Sequence, residues 1–175
     1  MTREEAFHRL LRSIAKRRKR IEKILRRHLG RKGDRRSLTA LAVLNPSSLQ
    51  LDDLPFPENV RPILREDEFQ TVSSLWADIQ REIETVFRDY DDILESYRRQ
   101  VLSHYYKKLC VLGNVIVVDE QREDLYMCLN LGIVKGLLCY DPKKGTDDPA
   151  KFFLKVIRGI FRSHLSTELF GVHIP

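Results

Sequence analysis

Residues 69–109 read FQTVSSLWADIQREIETVFRDYDDILESYRRQVLSHYYKKL, and this stretch decides the fold. Phe69, Val72, Trp76, Ile79, Ile83, Val86, Tyr90, Ile93, Tyr97, Val101, Tyr105 and Leu109 recur at steps of three and four. That is the period that lines one face of an α-helix. The pattern predicts one very long amphipathic helix, or two broken near Asp91 and Asp92, with Asp67 as a candidate cap. Tyr, Trp and Phe fit the narrow seam of a two-stranded coiled coil poorly, so this face is expected to pack on the rest of the chain.

Upstream, residues 3–29 carry a second helical pattern. Phe7, Leu11, Ile14, Ile21, Leu25 and His28 step by four and three, interrupted for one turn at Arg18, and Gly30 and Gly33 end it. From Arg31 to about residue 66 the periodicity dissolves among Pro46, Pro55, Pro57 and Pro62, with one short helical turn or two allowed around Leu38, Leu41, Ala42 and Leu44. Downstream, Gly113 closes the long pattern, and Val115–Val118 reads as an extended linker because no second strand is available to pair with it. Residues 123–140 are apolar on nearly all sides, as in a helix buried among others. Gly132 and Gly136, one turn apart, would let a neighbouring helix approach closely. Asp141 to Gly145 is a turn, after which Asp148 can cap a helix that opens on Pro149. The expected architecture is all-α: a basic helical arm (1–30), a connector (31–66) and a helical domain (67–175).

The chain has 175 residues, of which 42% are hydrophobic and 32% charged, so a packed, soluble, helix-rich protein is expected rather than a disordered one. No apolar run approaches the roughly 20 residues of a membrane span, and the N-terminus is too charged for a signal peptide. Cys110, Cys128 and Cys139 are an odd number without paired spacing, which argues for a reducing, cytoplasmic setting. Charge is unevenly placed: 15 of the 31 Lys and Arg, but only 4 of the 25 Asp and Glu, fall within the first 37 residues. Within this arm, Lys16 to Arg20 are five consecutive cations. A solvated face is the plain reading. Contact of Arg17, Arg18 and Arg20 with phosphates is favoured over it, because like charges this dense repel unless a counter-charge is present. The lack of Trp and the narrow apolar face count against a membrane surface.

A second cationic pattern lies at 149–165. Lys151, Lys155, Arg158 and Arg162 step by four, three and four, within about 60° of one another on a helix. Phe153, Ile157, Ile160 and His164 fall opposite. Such a helix suits phosphate tracking, although a solvated surface stripe has the same pattern. Catalytic chemistry, by contrast, has no foothold. The eight glycines form no phosphate loop, the five histidines are scattered, and there is no Cys-x-x-Cys. Ser103 and His104 are successive and would point about 100° apart on a helix. No cofactor, metal or small-molecule substrate is expected, and a binding role is favoured over an enzyme.

The ordered set Glu123-Asp124-Leu125-Tyr126, Asn130-Leu131-Gly132-Ile133-Val134-Lys135, Tyr140-Asp141-Pro142-Lys143-Lys144-Gly145-Thr146, Phe152 and Ile157-Arg158 resembles the second conserved region of bacterial sigma factors. Gly171-Val172-His173-Ile174-Pro175 is similar to the short segment that follows that region, and the likeness covers about residues 96–175. Met127, Cys128 and Leu129 stand where the family has Gln-Glu-Gly, and Lys155 and Val156 stand where it commonly has tryptophans. The resemblance implies a transcription initiation factor in which the helix of residues 123–138 docks on the clamp helices of core RNA polymerase, through Asp124, Leu125, Asn130 and Val134. It also implies that the next helix holds promoter DNA, the upstream element and the opened non-template strand, with Phe152 as a strand-contacting aromatic and Lys151, Lys155, Arg158 and Arg162 on phosphates. A short, divergent factor of this kind is similar to phage-encoded ones. The alternatives are a nucleic-acid-binding structural or packaging protein, and an adaptor that occupies the sigma site on polymerase.

Overall fold

A computed structural model describes residues 1–29, 54–111, 119–143 and 148–164. Every regular element among them is helical: α1 (Arg3–Leu29), a 3₁₀ helix (Glu58–Ile63), α2 (Glu66–Asp89), α3 (Asp91–Val111), α4 (Asp119–Cys139) and α5 (Pro149–His164). The fold is all-α. The extended linker expected at Val115–Val118 and the helical turn at Leu38–Leu44 lie outside the described residues.

The long periodic stretch is two helices. Tyr90 closes α2 with φ −123° and ψ 24°, its N–H still bonded to the Val86 carbonyl at 3.0 Å. The cap at the other end is not Asp67. Arg65, in extended conformation, is the N-cap residue, and its N–H donates to Glu68 Oε1 at 3.0 Å. Asp67 instead lies in the first turn with Glu66 and Glu68, where carboxylates oppose the positive end of the helix dipole.

The chain forms two compact units, Met1–Tyr90 with Leu137–Gly145, and Asp91–Gly136 with Thr146–Pro175. This partition differs from the arm, connector and domain expected from the sequence. In the first unit α1 packs along α2, so α1 is one half of a helix pair. Phe7, Leu11, Ile14 and Ile21 of α1 and Val72, Ile79, Ile83 and Val86 of α2 are at most 1% exposed. Each fully buried side chain of this size contributes about 1.5–3 kcal/mol. Leu54, Phe56 and Val60 extend that core, with the Phe56 ring meeting Trp76 edge-on at 5.1 Å. His28, the last member of the apolar row, is solvent-exposed and meets Glu68 Oε2 at 2.8 Å.

The second unit contains α3, most of α4, and α5. The two α4 glycines act as the spacing predicts. A Cβ on Gly132 would lie 2.9 Å from the Ile157 Cα, and one on Gly136 would lie 2.6 Å from the Phe153 ring, so α5 crosses closer than any side chain permits. Phe153, fully buried, stacks on Tyr97 of α3 at 5.6 Å and 17°. Arg98 is buried as well. Its Nε donates to Asn130 Oδ1 at 2.8 Å, and its Nη1 lies 2.9 Å from Asp91 Oδ1 and 3.1 Å from Glu95 Oε2.

Candidate nucleic-acid interface

The helix that offers the clearest surface is α5. Asp148 Oδ1 accepts the Ala150 N–H at 3.0 Å, the expected cap, and Pro149 occupies the first helical position. Phe153, Ile157 and Phe161 are completely buried and fix the rotation of the helix about its axis. Phe161 takes the buried position expected for its neighbour Ile160, which is half-exposed. With that rotation set, Lys151, Lys155, Arg158 and Arg162 are all exposed. They span twelve residues, about 16 Å at 1.5 Å per residue, and α5 itself contains no acidic residue. Gly159 adds an open spot on the same side, since a Cβ there would meet nothing within 4 Å. Phe152, next to the row, is half-buried with its ring edge-on to Phe153 at 5.9 Å.

The residues expected to contact polymerase are not gathered on a surface. Leu125 is 4% and Val134 5% exposed, so both belong to the core, where an almost uniformly apolar helix has to bury its sides. Their role as surface contacts is corrected accordingly. Asn130 is half-buried and accepts from Arg98. Asp124 lies outside the residues whose side chains are described. Tyr126, also half-exposed, donates its hydroxyl to Glu95 Oε1 at 3.0 Å. Burial pushes the Tyr126 phenol up, with the Glu95 charge acting in the same direction. For Glu95 itself burial acts upward, but the hydrogen bonds from Tyr126, Arg98 and Arg99 outweigh it and hold the carboxyl below its ordinary range.

The cations of the α1 run are divided by the helix rotation. Arg18 is 5% exposed, and its Nη1 donates to the carbonyls of Leu138 at 3.0 Å and Tyr140 at 2.7 Å. The last turn of α4 has no basic residue of its own, so Arg18 supplies the cation that its C-terminal carbonyls and negative dipole end favour. A buried side chain so engaged does not reach a phosphate, and Arg18 is removed from the DNA contacts expected from sequence. Arg17 is part-buried, paired with Glu82 and 3.6 Å from Asp78, with its Nη1 donating to Ser13 Oγ at 2.5 Å. Lys19 holds Asp141 at 2.8 Å. Of the three expected contacts only Arg20 faces solvent. Reading five cations as a block hid the outer row that Arg20 belongs to, although a helical plot of the cations alone would have revealed it.

Among the described residues no three His, Cys, Asp or Glu side chains come together as a metal site. The Cys128 thiol is buried beside the Ile160 carbonyl at 3.8 Å, and burial pushes its pKa up to about 12, leaving it protonated and unreactive at neutral pH. No helix is long and apolar enough to cross a membrane among the described residues. No family model, curated protein or solved structure matches the chain.

Proposed function

We propose that the chain is a sigma-like transcription initiation factor, a non-enzymatic subunit that contacts promoter DNA through α5 and associates with core RNA polymerase. The observation that carries the DNA half is the exposed row Lys151, Lys155, Arg158 and Arg162 on a helix with no acidic residue, with Phe152 half-exposed beside it. Cations at this spacing neutralise backbone phosphates, and an aromatic at their edge suits an unstacked base. The polymerase half rests on the ordered sigma-like motif from Glu123 to Arg158. Asn130 and Asp124 are the positions left for it once Leu125 and Val134 are assigned to the core.

The burial of Leu125 and Val134 favours a second reading, a structural nucleic-acid-binding protein that uses the same α5 face without polymerase. One experiment separates the two. The tagged chain is purified from its native cell and then titrated with core polymerase and a promoter fragment. The initiation factor brings down polymerase subunits, and with them opens particular promoters, detected by permanganate reactivity of unpaired thymines. Asp124→Ala weakens that association and leaves DNA affinity intact. DNA binding without polymerase association or opening supports the structural protein and overturns the initiation factor.

A further inference from the structure

The rotation that turns Arg17, Arg18 and Lys19 inward turns six other α1 cations outward as one row. Arg9, Arg12, Lys16, Arg20, Lys23 and Arg27 step by three and four and are all exposed. At 100° per residue they lie within about 80° of one another, and they extend over about 27 Å. The single acidic residue between Arg9 and Arg27 is Glu22, on another side of the helix, 3.7 Å from Arg18. Among the described residues none of the six outer cations has an ion-pair partner. At its C-terminal end the row runs into a cavity of about 410 Å³, where Arg65, the N-cap residue of α2, joins Arg20, Lys23 and Arg27. The two acids at that cavity are already engaged: Glu68 with His28, and Asp67 with Arg65 at 3.5 Å. Like charges one turn apart destabilise a helix by a few tenths of a kcal/mol per pair, so a row of six favours a bound counter-charge.

We infer that this row is a sequence-independent binding surface for the phosphate backbone of duplex DNA, separate from the α5 face. Three features select that partner. The length matches about eight base pairs at 3.4 Å each, enough for all six cations to meet phosphates. The apolar face that a membrane-surface helix would insert is already buried against α2, with Phe7, Leu11, Ile14, Ile21 and Leu25 at most 3% exposed. No aromatic residue occurs between Arg9 and Arg27, so the surface lacks the stacking platform that single strands require. The inference does not depend on polymerase association, because it concerns only α1 and α2 of the first unit.

The test uses the full chain, no polymerase, and a labelled 20-base-pair duplex of arbitrary sequence, titrated from 50 to 200 mM salt. Replacing Arg12, Lys16, Arg20 and Lys23 together by alanine should lower the slope of log affinity against log salt by about 3.6, at about 0.9 for each phosphate no longer neutralised. Affinity at 50 mM salt should fall at least tenfold, with helical circular dichroism retained. If the fourfold variant loses its helicity, the pair Lys16→Gln and Lys23→Gln should still take about 1.8 from the slope. A folded variant whose slope is unchanged overturns the inference. So does tighter binding of the unaltered chain to phosphatidylserine vesicles than to the duplex, if the same substitutions abolish it.

Discussion

The cations of α1 and α5 look alike in sequence and serve different ends. In α5 the buried residues Phe153, Ile157 and Phe161 share one side, so Lys151, Lys155, Arg158 and Arg162 are left on the exposed side. In α1 the run Lys16 to Arg20 covers more than a full turn, and the elements packed against it carry Asp78, Glu82, Asp141 and the carbonyls of Leu138 and Tyr140. Three cations of that run are thereby drawn into the fold, and Lys16 and Arg20 stay outside. A dense basic run is not in itself a nucleic-acid site; what packs beside it decides which members are left.

The strongest way to break this contrast is to remove what orients α5. Phe153→Ala deletes a fully buried ring stacked on Tyr97, and a destabilisation of about 3–5 kcal/mol is expected by urea titration. A loss below about 1 kcal/mol would mean that Phe153 does not anchor the helix. Arg18→Ala comes next, at about 2–3 kcal/mol, because it leaves the carbonyls of Leu138 and Tyr140 without their charged donor. If duplex affinity fell while the melting temperature held, Arg18 would be a surface residue after all.

The two buried arginines should also differ in their response to acid. Arg18 is held chiefly by carbonyls, which do not titrate, whereas Arg98 is held by Asp91, Glu95 and Asn130. The folded state holds Glu95 below its ordinary range. Its contribution is therefore present above the unfolded value of about 4.3 and is lost as pH falls through the lower folded value. Thermal unfolding between pH 7 and pH 3 should show a smaller acid loss in Glu95→Gln than in the unaltered chain. Equal losses would place the acid sensitivity elsewhere. The smallest expected stability effect is at α5's surface: Lys155→Ala with Arg158→Ala should change stability by under about 0.5 kcal/mol, yet lower the DNA salt slope by about 1.8. A large stability loss with no change of slope would reverse the assignment of that face.

Much of the fold was legible because helix signals are local. The Asp148–Pro149 start, the break near Asp91 as one of two alternatives, and the close-approach glycines of α4 each depend on a few neighbouring residues and a fixed period. Leu125 and Val134 were misjudged for the opposite reason: a motif aligns positions without stating which side of the helix this chain covers. Asp67 lost the cap to Arg65 because the extended backbone at Arg65 starts the helix there and leaves Asp67 inside the first turn.

From the amino-acid order alone came the helices, their apolar faces and the cationic row of α5, since 100° per residue fixes which side chains share a face. Tertiary packing alone settled the fate of Arg17, Arg18, Lys19 and Arg98. Their partners lie up to 122 residues away in the chain, and whether a charged group turns inward depends on a carbonyl or carboxylate being there to receive it.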